Sequence, residues 1–153
     1  MKISLLLLIV AAAAGRASAA VAVKEASAGV VAGYPSGGTV KLWFDDARAV
    51  DLGVGLAGSP VLWADAVWHA WDVLPQPAKG RLGAYLGGGP RLEFASDAEF
   101  GLRTVVGVSW RLPKHSVELF AEAGPVFRFT QGGHVDADGG VGVRVSFLGA
   151  PGR

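Results

Sequence analysis

The sequence predicts an all-β protein: a closed antiparallel up-and-down β-barrel of about eight strands, preceded by a signal peptide. Three observations carry this. Apolar and small or polar residues alternate with a period of two through seven successive segments, the signature of strands rather than helices. The composition is 51% hydrophobic and only 18% charged, with 23 glycines, yet no stretch after the leader approaches the roughly 20 apolar residues that a spanning helix needs. The links between segments are too short to hold crossover helices, so neighbours pair antiparallel.

Residues 1–19 read as the signal peptide and residues 20–153 as one domain. Met1-Lys2 is a short positive region, Ile3 to Ala14 is a run of about a dozen mostly apolar residues, and Ala17-Ser18-Ala19 offers small residues for cleavage after Ala19 or Ala20. The run is too short to anchor the chain in a bilayer. The cysteine count is 0, which excludes disulfides, thiolate chemistry and a lipid-modified N-terminal cysteine. Lys and Arg number 14 against 13 Asp and Glu, so no basic excess points to nucleic acid.

The first segment, Ser27 to Gly33, alternates poorly, but the turn Pro35-Ser36-Gly37-Gly38 follows it. In Thr39 to Phe44, Val40, Leu42 and Phe44 oppose Lys41; after the polar link Asp45 to Arg48, the residues Val50, Leu52, Val54 and Leu56 oppose Asp51, Gly53 and Gly55. Gly58-Ser59-Pro60 is a tight turn. Leu62, Ala64, Ala66 and Trp68 then oppose Trp63, Asp65, Val67 and His69, and the long connection Ala70 to Gly80 follows. Leu82, Ala84 and Leu86 oppose Gly83, Tyr85, Gly87 and Gly89; beyond Ser96 to Glu99, Leu102 to Trp110 opposes Arg103 to Arg111. The link Pro113-Lys114-His115 leads to Val117 to Ala123, opposed by Glu118, Phe120 and Glu122. A Gly/Asp-rich loop, Gln131 to Gly140, precedes Val141 to Phe147, and Leu148 to Arg153 is a short end.

Two structures use this pattern. A soluble barrel or sandwich turns its large apolar residues inward; a membrane barrel turns them to lipid and fills its lumen with the other face. Seven glycines, Gly53, Gly55, Gly83, Gly87, Gly89, Gly107 and Gly142, share the charged face, and a narrow eight-stranded interior favours small residues beside a few long ones. That face also carries Lys41, Arg103 and Arg144 against Asp51, Asp65, Glu118 and Glu122, a balanced set suited to an internal network, since buried charges must be paired. Trp68, Trp110 and Phe147 sit near strand ends on the apolar face, where an interfacial aromatic girdle lies. The pattern therefore favours the membrane arrangement over a soluble periplasmic β-protein.

Gly33-Tyr34-Pro35-Ser36-Gly37, Lys41 to Asp45, Ala49 to Gly55, Asp65 to His69, Tyr85 to Arg91, Gly101-Leu102-Arg103, Val117 to Glu122 and Gly140 to Arg144, taken in order, resemble a family of small, mostly uncharacterised outer-membrane barrels, akin in architecture to OmpX and the OmpA transmembrane domain. The resemblance implies an eight-stranded barrel in the bacterial outer membrane, with lipid and the barrel insertion machinery as partners, a monomeric state and no cofactor. It brings no settled catalytic residues. One departure is that Phe147 is followed by six more residues instead of ending the chain.

Catalytic readings are weak. Asp65 and His69 are four residues apart on one strand, about 13 Å, so they do not form a proton-transfer pair, and His69 is read as a rim residue. Glu118 and Glu122 have the same spacing and are read as structural partners of Arg144 and Arg103. His134, Asp136 and Asp138 are read as solvated turn formers of the Gly-rich loop, not a metal site. Gly87-Gly88-Gly89 lies within a strand with no helix after it and is not a phosphate loop. The function expected is a structural or interaction barrel with a largely filled lumen; a small-molecule or lipid-binding barrel or narrow pore is the alternative, and an outer-membrane lipid-modifying enzyme the least favoured. With both termini periplasmic, the Ala70 to Gly80 connection would also be periplasmic, against the habit of short periplasmic turns; a miscounted strand would account for that.

Overall fold

The computed structural model describes residues 22–113, 116–130 and 132–149. The predicted signal peptide, Lys114 and His115 of one link, Gln131, and residues 150–153 lie outside them. The described chain is a closed antiparallel barrel in which each strand pairs with the next and the last with the first. The strands are β1 (Glu25–Tyr34), β2 (Gly37–Trp43), β3 (Arg48–Gly55), β4 (Val61–Ala70), β5 (Arg81–Phe94), β6 (Ala98–Leu112), β7 (Val117–Arg128) and β8 (His134–Leu148).

The register fixes the girth. Crossing from Gly29 through Thr39, Gly53, Trp63, Arg91, Gly101 and Arg128 leads to His134 on β8. Gly29 itself pairs with Arg144, ten residues further along β8. Ten residues at about 3.3 Å against eight strand spacings of about 4.8 Å tilt the strands by about 40°, within the range of closed barrels.

One alternation phase points inward throughout: odd-numbered residues in β1 to β6, even-numbered in β7 and β8. Within the eight strands the outward phase holds one charged residue, Arg48 at the start of β3, and two hydroxyls, Thr104 and that of Tyr34 at the end of β1; everything else is aliphatic, aromatic, Gly or Pro. Outward aromatics gather at the two ends. Phe44, Trp68, Trp110 and Phe147 lie at the end that carries the termini, and Phe94, Phe100, Phe127 and Phe129 at the other, where Tyr34 instead turns its hydroxyl to the lumen residue Glu93 at 3.2 Å.

The lumen is filled by cross-strand complementarity. Trp63 faces Gly53, Tyr85 faces Gly107 and Phe120 faces Gly142 in the register. A Cβ on Gly53 would fall 1.9 Å from the Trp63 ring, one on Gly107 2.5 Å from the Tyr85 ring and one on Gly142 2.4 Å from the Phe120 ring. Each inward ring therefore lies flat across the bare backbone of the adjacent strand.

The turns follow from their residues. Asp45 closes the β2–β3 turn by accepting the backbone N–H groups of Ala47 (2.9 Å) and Arg48 (2.7 Å), an Asx turn. The Ala47 N–H, with the Arg48 guanidinium beside it, holds the Asp45 carboxyl down at about 2. The long connection between β4 and β5 is tied down by Gln76, whose amide donates to the carbonyls of Trp71, Leu74 and Leu82 and accepts the Leu82 N–H.

Three expectations are corrected. The Gly/Asp-rich stretch is not a loop through Gly140: β8 begins at His134, which pairs with Arg128, because the period-two pattern continues through Asp136 and Asp138. His69 is not at a rim: it is 6% exposed inside the barrel, since Trp71 continues the chain beyond it and covers it. The eight strands are all present, so the long β4–β5 connection at the termini end is a property of this barrel and not a sign of a miscounted strand.

Gly53→Val is expected to lower barrel stability by roughly 1–3 kcal/mol through overpacking, measured as the shift in urea midpoint of the detergent-folded protein. An unchanged midpoint would contradict the packing of Trp63 on Gly53.

Candidate functional site

The lumen is where chemistry-bearing side chains converge, and it divides into three tiers along the axis. At the termini end, aromatic and cationic groups stack. The His69 ring lies 4.4 Å from Trp43, 5.4 Å from Trp71 and 4.8 Å from Tyr85 between centroids. Arg111 sits 4.2 Å over Trp43 and 5.5 Å over Trp71 and reaches Glu25 at 3.0 Å. Gly83 makes room for Trp71, since a Cβ there would meet its ring at 2.6 Å, and the Trp71 indole N–H donates to the Asp46 carbonyl at 2.6 Å. This stack closes the mouth.

The middle tier is a compact ion cluster. Lys41 Nζ lies 3.0 Å from Glu118 Oε1 and 3.0 Å from His69 Nε2. Arg144 pairs with Asp51 and, at 3.3 Å, with Glu118, while its guanidinium lies 3.7 Å over the Phe120 ring. Thr39 donates its hydroxyl to Asp51 at 2.6 Å and Ser109 to Glu118 at 3.0 Å. The Lys41 and Arg144 side chains are 0% and 1% exposed, so each charge depends on protein partners, which for Arg144 include the Thr39 hydroxyl at 3.1 Å and for Lys41 the Trp43 and Tyr85 rings.

In the tier towards the opposite end, Arg103 bridges Asp65 (2.9 Å), Glu122 (2.8 Å) and Asp138 (3.4 Å), and Tyr85 donates its hydroxyl to Glu122 at 2.5 Å. Arg91 binds Asp138 at 2.9 Å and Glu93 at 2.8 Å. Arg128 gathers Glu93, Glu99 and Asp136 at the mouth.

All seven charged residues singled out from the sequence, Lys41, Asp51, Asp65, Arg103, Glu118, Glu122 and Arg144, lie in this interior. They form two groups, Lys41–Glu118–Arg144–Asp51 and Asp65–Arg103–Glu122. Trp68, Trp110 and Phe147 point outward, 52%, 36% and 67% exposed. Sequence reasoning missed Glu25, Arg91, Glu93, Arg111, Arg128 and Asp138 as network members. Their parity was the available signal: Arg111 already stood on the charged face of its segment, and the others continue the inward phase of their strands past the segments first taken as strand.

The contacts limit the chemistry. Asp65 is engaged with Arg103 and His69 with Lys41, so the two do not act together. A charged ammonium has no acceptor, so His69 Nε2 must accept from Lys41 and its lone pair is not free to take a substrate proton. Ser109 contacts Glu118 rather than a histidine. Among the described residues no group of three or more His, Cys, Asp or Glu is placed to hold a metal ion. The arrangement is a filled, cross-linked core that ties opposite walls of the barrel together. No protein-family model, curated protein or solved structure matches the chain.

Arg144→Ala leaves Asp51 and Glu118 buried without their shared cation. It is expected to cost roughly 3–5 kcal/mol, seen as a lower heat-modification temperature on gels of the detergent-folded barrel; an unaltered temperature would remove the middle tier's structural role.

Proposed function

We propose that the protein is a small outer-membrane β-barrel of structural or interaction type, its lumen closed by its own side chains, with membrane lipid and the barrel insertion machinery as partners. The observation that carries the reading is the outward phase: eight strands whose outer positions hold one charge, Arg48, and only two hydroxyls, Thr104 and the strand-end Tyr34. A barrel surrounded by water would solvate its exterior with charged and polar side chains; here the polarity is inverted, as a lipid-facing wall requires.

The spacing of the aromatics supports the same reading. On β6, Phe100 and Trp110 both face outward and are ten residues apart. At about 3.3 Å per residue and a tilt of about 40°, that is about 25 Å along the axis, the height of the apolar band between two aromatic girdles. Trp68, Trp110 and Phe147 then belong to one interfacial belt and Phe94, Phe100, Phe127 and Phe129 to the other. The closed eight-stranded architecture also agrees with the resemblance to small barrels of the OmpX and OmpA transmembrane type. A lumen occupied along its length by its own side chains favours a non-conducting, non-enzymatic barrel over a pore.

Val106 is 64% exposed and lies between the two belts. Val106→Arg is expected to lower stability in bilayers by roughly 2–4 kcal/mol, whereas on a water-facing wall the change stays within about 0.5 kcal/mol. Unfolding titrations of the protein in phosphatidylcholine vesicles separate the two, and a near-neutral result would overturn the membrane reading.

A further inference from the structure

The aromatic stack closes the termini-end mouth from the side of β2 to β5. Trp43, His69 and Tyr85 come from β2, β4 and β5, and Trp71 from the connection after β4. Towards β6, β7, β8 and β1 the closure is polar. There Glu25 accepts from Arg111 at 3.0 Å and from Ser146 at 2.6 Å. A small cavity of about 10 Å³ lies among Glu25, Arg111, Ser116, Val117, Glu118 and Ser146.

The Glu118 carboxylate is used unevenly. Its Oε1 accepts from Lys41 at 3.0 Å, from Ser109 at 3.0 Å and from Arg144 at 3.3 Å. Its Oε2 is buried with no hydrogen-bond partner among the described residues. Glu118 is 4% exposed and lines the cavity. A buried carboxylate oxygen left bare is costly, whereas a water molecule held by two to four polar groups satisfies one. The volume agrees, since about 10 Å³ is the room that one water needs, and nothing larger fits.

We infer that this cavity is a binding site for a single water molecule, which donates to Glu118 Oε2 and is held from the other side by the polar groups of Glu25, Arg111 and Ser146. Charge selects water over a monovalent cation of the same size. Around the cavity and the middle tier, Lys41, Arg111 and Arg144 balance Glu25, Asp51 and Glu118. A sodium, potassium or ammonium ion brings a buried charge with no counter-ion. Glu118, the hub that joins Lys41 to Arg144, thus depends on a solvent molecule for its second oxygen. The inference is independent of the membrane reading, because the cavity lies inside the barrel whatever surrounds the wall.

The test is a high-resolution crystal structure of the full barrel in detergent, grown in rubidium chloride, together with two variants at Ser146. One density peak without anomalous signal is expected within about 3.2 Å of Glu118 Oε2. An empty cavity, a protein donor on Oε2 or an anomalous rubidium peak at the site overturns the inference. The variants read the same point in solution. Ser146→Ala removes the hydroxyl and keeps the space, whereas Ser146→Val fills the space. In a dry cavity the added methyls restore missing contacts and slow unfolding. With water bound, valine displaces it and leaves Oε2 bare, so the valine variant is expected to unfold roughly tenfold faster than the alanine variant in detergent. Equal or slower unfolding of the valine variant overturns the water site. A valine variant that fails to fold leaves the decision to the crystal density of the parent and alanine proteins.

Discussion

Closure of the hydrogen-bonded ladder around a narrow lumen is the constraint from which the rest of this structure follows. Closure removes every sheet edge, so the backbone pairs within the chain except at the short lapses in β4–β5 and β6–β7. It also commits one whole alternation phase to an interior with room for few large groups. The solution is pairwise: Trp63, Tyr85 and Phe120 are each set opposite a glycine, so ring and bare backbone share the volume that two ordinary side chains would overfill. The glycine count of the chain is in this sense a packing requirement.

The same enclosure governs the charges. Lys41, Arg144, Asp51 and Glu118 are almost wholly withdrawn from solvent, and taking such groups out of water costs several kcal/mol each unless the partners are well placed. The partners come from different strands, as β2 and β7 supply Lys41–Glu118 and β3 and β8 supply Asp51–Arg144. Each ion pair thus spans the lumen and holds one register between opposite walls. A slip of one residue in any strand would exchange its inward and outward phases, placing charges on the apolar exterior and aliphatic groups among the ions.

Enclosure also shapes what the molecule can do. The middle tier holds Lys, His, Glu and Ser side chains within hydrogen-bond reach of one another, a composition that invites a catalytic reading, yet His69 Nε2, Lys41 Nζ, Ser109 Oγ and Glu118 Oε1 bond one another and the aromatic stack of Trp43, His69, Trp71 and Tyr85 covers them from the termini end.

The sequence by itself determined the fold class, the strand count and the identity of the inward face, because period-two alternation assigns faces residue by residue and glycines beside balanced charges mark the crowded side. Lys41, Asp51, Asp65, Arg103, Glu118, Glu122 and Arg144 were legible in this way. It did not determine who pairs with whom. Lys41 meets Glu118 and Arg144 meets Asp51 across the lumen only because a ten-residue stagger brings those positions to one height, and stagger is a property of the closed sheet that no local pattern encodes. The burial of His69 and the extension of β8 back to His134 are of the same kind. Each depends on which residue of a neighbouring strand lies alongside, and that was settled only when the eighth strand met the first.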